Sequence, residues 1–143
     1  MTVCCVLYCT LFLGLLAGMA SGCQQNNSGA NGVSAREFYA NHYHLLNDNN
    51  AVIVDGRTAE MFASGHLKNA VNVYADGPEL SEKLKQYADK PLIVVYCTTI
   101  RRTIRIVRTL SNFYEGGILY IKDCIQGWKR NGFQVSVKSV SDN

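Results

Sequence analysis

Hydrophobic and polar positions divide the chain into stretches of different character. Residues 3–20, VCCVLYCTLFLGLLAGMA, are apolar almost without interruption, the pattern of a signal-peptide core or a short membrane span. Residues 24–32, QQNNSGANG, are polar, uncharged and have nothing to bury, which predicts a flexible tether. Regular periodicity starts at Ser34-Ala35-Arg36-Glu37. This has the form of a capping box, in which the serine oxygen accepts from the Glu37 amide and the carboxylate reaches back. Ala35, Phe38, Tyr39, Tyr43 and Leu46 then recur at helical spacing and predict a helix with that stripe on a core. His42 and His44 on this helix are two apart, so they face different directions and are not a metal-binding pair.

Beyond it, short apolar runs rich in β-branched residues lie at 51–54 and 92–96, with weaker ones at 71–73 and 118–121. Helix-like segments at 58–63, 79–88, 101–112 and 123–130 alternate with them. The apolar runs are continuous rather than alternating, which indicates burial on both faces. The fold class that follows is α/β, with a central parallel sheet of about five strands and helices on both faces. Functional groups of such sheets gather beyond the carboxyl ends of the strands. Here those ends are Asp55-Gly56-Arg57, Cys97 with its loop, and Asp123-Cys124.

Charge sharpens the division. The 14 Lys and Arg and the 11 Asp and Glu all lie at or after Arg36. The net charge of +3, without a long basic run, excludes a nucleic-acid binder held by many phosphate contacts. A chain 48% hydrophobic and 17% charged is not disordered throughout. Of the six cysteines, Cys4, Cys5, Cys9 and Cys23 lie in the uncharged part, leaving Cys97 and Cys124 for the folded body. Two cysteines do not make a disulfide scaffold.

The apolar run ends in Ala20-Ser21-Gly22-Cys23, which resembles the lipobox of bacterial lipoproteins. That resemblance implies a signal peptide over 1–22 and Cys23 as the lipidated, mature N-terminus. A tether over 23–32, a domain over 33–138 and a tail over 139–143 then follow. It also implies a chain held extracytoplasmically at the cell envelope, periplasm-facing in a Gram-negative cell. An uncleaved anchor or a signal cut for secretion leaves the body on the same side of the membrane or close to it.

The chemistry concentrates in Tyr96-Cys97-Thr98-Thr99-Ile100-Arg101-Arg102-Thr103. A cysteine between a hydrophobic strand and a helix meets the amides of the loop and of the helix N-terminus, whose dipoles favour an anion. With Arg101 and Arg102 nearby, the expected result is a depressed thiol pKa and a nucleophilic thiolate at Cys97. Arg101, Arg105 and Arg108 form one cationic stripe on the helix that follows. Nothing in the pattern calls for a metal or an organic cofactor.

These residues resemble the rhodanese-like domains, whose active-site loop reads Cys, two variable residues, Gly, one variable residue, Arg, then Ser or Thr. Cys97, Arg102 and Thr103 match in position. Asp55-Gly56-Arg57 with Glu60, the segment Gly65-His66-Leu67-Lys68-Asn69-Ala70-Val71-Asn72, and Gly127-Trp128 with Gly132 resemble three further family elements in the right order. The resemblance covers about residues 33 to 137 and implies sulfur transfer of the thiosulfate sulfurtransferase type. Cys97 would take a sulfane sulfur from a small anionic donor such as thiosulfate, hold it as a persulfide, and yield it to a thiol or to cyanide. Thr98, Thr99, Ile100, Arg101, Arg102 and Thr103 form the cradle, Arg102 closes it, Arg105 helps to hold the donor, and Asp55 with Arg57 braces the neighbouring loop. Ile100 stands where the family has glycine, so a demand for positive φ there would strain a β-branched residue. That departure keeps open a non-catalytic binding or redox-sensing module.

Cysteine phosphatases place their arginine six positions after the cysteine, whereas Arg102 is five after Cys97, which favours sulfur over a phosphatase or arsenate reductase on the same fold. In the family's sheet the strand before Cys124 neighbours the strand of Cys97. Cys124 is therefore a candidate redox partner of Cys97, provided their Cα atoms lie within about 7 Å. Asp123 is expected to cap the helix that follows.

Overall fold

The computed structural model describes residues 29–137. The segments 1–22 and 139–143, with Cys23 and most of the expected tether, lie outside the described residues. Five parallel strands form one sheet: β1 (Asn31–Val33), β2 (Ala51–Asp55), β3 (Ala70–Asn72), β4 (Leu92–Tyr96) and β5 (Gly117–Ile121), in the order β1-β5-β4-β2-β3. β4 is the middle strand, paired with β2 on one side and β5 on the other. The first two residues of β1 were expected to be tether. Instead Asn31 and Gly32 pair with Leu119 and Tyr120 of β5, because a polar segment supplies backbone donors and acceptors to a sheet edge as well as an apolar one does.

Helices cover both faces: α1 (Ala35–His42), α2 (Ala59–Ala63), α3 (Leu80–Lys85), α4 (Ile100–Leu110) and α5 (Cys124–Arg130). Val94 and Tyr96 of β4 pack with Phe38 of α1 and with Ile125 and Trp128 of α5. Ile93 and Val95 pack on the opposite side with Leu80 and Leu84 of α3 and Ile106 and Leu110 of α4. The strand is thus buried on both faces, as its unbroken apolarity indicates. Trp128, closed off from solvent, packs edge-on against Phe38 with centroids 6.1 Å apart. Truncating such a side chain costs about 3–5 kcal/mol.

The capping box forms: Ser34 Oγ accepts from the Glu37 amide at 3.1 Å, and Glu37 Oε2 accepts from the Ser34 amide at 3.4 Å. The apolar stripe after it holds only in part. Ala35, Phe38 and Leu46 are buried, whereas Tyr39 and Tyr43 are each 41% exposed. The α-helix ends at His42 and continues as a 3-10 turn over Tyr43–Asn47, whose tighter pitch of three residues per turn moves the buried positions off the expected stripe. Tyr39 is used at the core's edge, stacked on Phe133 at 3.9 Å.

Asp123 departs from its expected role as well. It makes no cap to α5. Its Oδ1 accepts from the Ala35 amide at 2.7 Å, so one carboxylate serves the start of α1, where a negative charge suits the helix dipole. A Cβ added to Gly127 would collide with that carboxylate, which explains a glycine in the middle of α5 despite its helix cost.

Candidate active site

The parallel sheet brings the ends of β2, β4 and β5 to one edge. Cys97 follows β4 directly, and only Thr98 and Thr99 separate it from α4. It is fully buried. Gly56, whose amide donates to the Tyr96 carbonyl at 2.9 Å, leaves the space beside it. A Cβ at Gly56 would stand 3.3 Å from Cys97 Sγ and press on Ile106.

The thiol is not depressed as expected: its pKa lies above the usual cysteine value. Burial is the largest cause, and the Asp55 charge adds to it. The Thr98 and Thr99 amides and Arg102 pull the other way and are outweighed. The dipoles and charge read from the sequence are present, but a sequence pattern does not register how completely water is removed from the sulfur.

Ile100 carries none of the expected strain. Asn69 and Cys124 are the non-glycine residues with positive φ among the described residues. Ile100 is the first residue of α4 and is 44% exposed. Asn69, at φ 57°, sits in the turn before β3, a conformation asparagine accepts readily.

The arginines take distinct places. Arg102 Nε donates to Asp76 Oδ2 at 2.6 Å and Arg105 Nη1 donates to Asp76 Oδ1 at 3.1 Å. Arg102 therefore stays close enough to Cys97 to favour its thiolate, while a carboxylate offsets part of its charge. Arg101 and Arg108 are exposed. All four, with Asp76 and Thr99, line an open groove along α4, a groove whose walls do not include Cys97. Thr103 is buried and donates from its hydroxyl to the Thr99 carbonyl at 3.3 Å, and the Thr98 hydroxyl points to Met61 Sδ at 3.7 Å.

Asp55 and Arg57 form a buried ion pair. Asp55 Oδ2 lies 2.6 Å from Arg57 Nη2, and Oδ1 accepts from both Nε and the backbone amide of Arg57 at 2.9 Å. Burial opposes the guanidinium charge, but the hydrogen bonds and charge of Asp55 prevail and the Arg57 pKa rises. Arg57 also donates to the Gly65 carbonyl at 2.7 Å, and Asn72 Nδ2 donates to the Asp55 and Arg57 carbonyls. Glu60 is exposed on α2.

Two supporting residues escaped the sequence. Tyr96 accepts the Leu67 amide on its hydroxyl at 3.0 Å and lies under Arg57, 5.8 Å from ring centroid to guanidinium carbon. Asp76 follows β3, another carboxyl end of the sheet, and that position was the signal that could have found it.

Cys124 begins α5, buried, at φ 60°. The amide of the next residue, Ile125, donates to the Cys97 carbonyl at 3.1 Å. Among the described residues both thiols are free.

A parallel α/β domain with a buried cysteine at a strand-to-helix turn, braced by an internal Asp–Arg pair, defines the class. The model of the rhodanese-like domain matches residues 39–131. The chain belongs to that family. Among solved structures, it resembles the thiosulfate sulfurtransferase of Pseudomonas aeruginosa at 22% identity and TM-score 0.63, over 77% of this chain and 21% of that one. A rhodanese-like domain protein of Staphylococcus aureus matches at 21% identity and TM-score 0.60, over 76% of this chain and 99% of that one. A rhodanese-related protein of Thermoplasma volcanium matches at 24% and TM-score 0.60, with the same coverage. These likenesses establish the fold. An uncharacterized protein of Buchnera aphidicola subsp. Acyrthosiphon pisum is 26% identical over 98 residues, 65% of each chain. The chain thus spans about a fifth of the Pseudomonas protein and just under two thirds of the Buchnera one.

Proposed function

We propose that this protein is a sulfurtransferase in which Cys97 carries the sulfur. The observation that supports this best is the junction itself. A cysteine separated by two residues from a helix is backed by the Thr98 and Thr99 amides and by Arg102, which favour its anionic form, in a chain of the rhodanese-like family. The Cys97 thiolate attacks the outer sulfur of thiosulfate. A new sulfur–sulfur bond forms, the donor's sulfur–sulfur bond breaks, and sulfite leaves with the electron pair. The persulfide then loses its outer sulfur to cyanide or a thiol. The loop amides stabilise the anion at each stage, and Arg101 and Arg102 supply positive charge for an anionic donor.

The short turn argues against phosphoryl chemistry. Arg102 stands five positions after Cys97, one fewer than the cysteine phosphatases place between their cysteine and arginine. Full-length protein in detergent, given thiosulfate and cyanide, is expected to form thiocyanate, and Cys97→Ser to form none above the uncatalysed rate. Equal rates in the two proteins contradict the reading.

For location, the proposal is an envelope lipoprotein anchored through Cys23. The uncharged apolar leader and its Ala20-Ser21-Gly22-Cys23 ending support it. Labelled fatty acid is expected in the wild type and not in Cys23→Ala.

A further inference from the structure

We propose that Cys124 is a second catalytic thiol of this site, one that resolves the Cys97 persulfide. The inference rests on the sulfur-transfer reading. Three observations carry it. β4 and β5 are neighbours, and the Ile125 amide donates to the Cys97 carbonyl at 3.1 Å. Standard bond lengths then keep the Cα atoms of Cys97 and Cys124 within about 8 Å at most, close to the range of roughly 4.4–6.8 Å in which disulfides form.

Cys124 also holds φ 60°. A cysteine there spends conformational energy that a glycine would not, so local backbone preference does not explain its presence. Finally, its sulfur is only weakly engaged, with the Lys122 carbonyl at 3.7 Å. Burial raises its pKa, the Thr103 hydroxyl beside it favours the thiolate, and charge on Cys97 is felt at Cys124.

In the proposed step the Cys124 thiolate attacks Sγ of Cys97, the inner sulfur of the persulfide. The Cys97–Cys124 bond forms, the bond to the outer sulfur breaks, and that sulfur leaves with the electron pair as hydrosulfide. The sulfane sulfur is reduced to sulfide, the two cysteines are oxidised to a disulfide, and the Cys124 proton passes to solvent or to the leaving group. An external dithiol reductant returns the pair to free thiols.

The test exposes full-length wild type, Cys124→Gly and Cys124→Ser to thiosulfate without added thiol. Hydrosulfide is trapped by alkylation, and the peptides bearing Cys97 and Cys124 are mapped by mass. Wild type is expected to release one hydrosulfide per chain and end with Cys97 linked to Cys124. Both variants are expected to keep one extra sulfur on Cys97 and release none, with Cys124→Gly melting no lower than wild type because its backbone suits glycine. A wild type that keeps the extra sulfur as the variants do overturns the inference and leaves sulfur transfer standing. If no protein gains sulfur on Cys97, the sulfur-transfer reading fails and the resolving step fails with it. Mapping wild type after equilibration in a glutathione redox buffer then judges the pair by itself: a Cys97–Cys124 link retains it as a redox couple, and free thiols remove it.

Discussion

Arg102 Nε and Asp76 Oδ2 lie 2.6 Å apart, which ties a cation that favours the Cys97 thiolate to a carboxylate on the loop after β3. Asp76 thereby tempers the charge that Cys97 feels. Asp76→Asn should leave Arg102 and Arg105 without their counter-ion and favour the thiolate. At neutral pH and low salt, alkylation of Cys97 is expected to quicken by roughly two- to five-fold, the scale of an exposed ion pair, and the gain should shrink in high salt. An unchanged rate means that Arg102 does not reach the thiol electrostatically.

The Asp55–Arg57 pair is closed off from solvent, and there the balance is different. Asp55→Ala leaves a guanidinium buried without its partner, so denaturant unfolding should show a loss of about 3–5 kcal/mol. Removing both charges should cost less than removing Asp55 alone. If Asp55→Ala unfolds like the wild type, the pair does not brace the site.

Gly127 and Asp123 should behave as a coupled pair. Gly127→Ala places a methyl against the Asp123 carboxylate and is expected to destabilise. Asp123→Ala loses the bond to the Ala35 amide, a cost of about 0.5–2 kcal/mol. The double variant should be more stable than the sum of the single changes allows, and additivity within about 0.5 kcal/mol would rule out the steric reading.

The pH response follows from the raised thiols. Cys97 and Cys124 both hold their protons more tightly folded than an ordinary cysteine does, chiefly through burial. Asp55 adds to the rise at Cys97, while the Thr98 and Thr99 amides and Arg102 oppose it. The unfolded chain therefore releases these protons first as pH increases. Stability is fully present below the ordinary thiol value of about 8.5 and falls as pH climbs from there toward the folded values. Unfolding measured between about pH 7 and 10 should show this decline, and Cys97→Ser with Cys124→Gly should flatten it. Thiocyanate formation should rise over the same range as the Cys97 thiolate is populated.

Much of this was legible in the sequence because local rules and global fold agree. The unbroken apolarity of 92–96 marked a strand buried on both faces, and the position of Cys97 at its end marked the chemical edge of the sheet. The pairing of Asp55 with Arg57 was implied by the family resemblance rather than by any local pattern. What stayed hidden depended on tertiary placement. Asn31–Val33 carries no strand pattern, yet the open edge of β5 captures it. Asp123 caps a helix 88 residues away in sequence rather than its own. The fate of Cys97 turned on desolvation, a property of everything packed around it, and the strain foreseen at Ile100 vanished because α4 starts one residue earlier than its charge pattern indicates.

Sulfur transfer itself is tested most directly by locating the transferred atom. Full-length Cys124→Gly, treated with thiosulfate and mapped by peptide mass, is expected to carry one added sulfur on the Cys97 peptide, released by cyanide as thiocyanate. The Cys97→Ser protein should carry none there. A folded Cys124→Gly protein that gains no sulfur at Cys97 under saturating thiosulfate would contradict a Cys97 persulfide drawn from that donor.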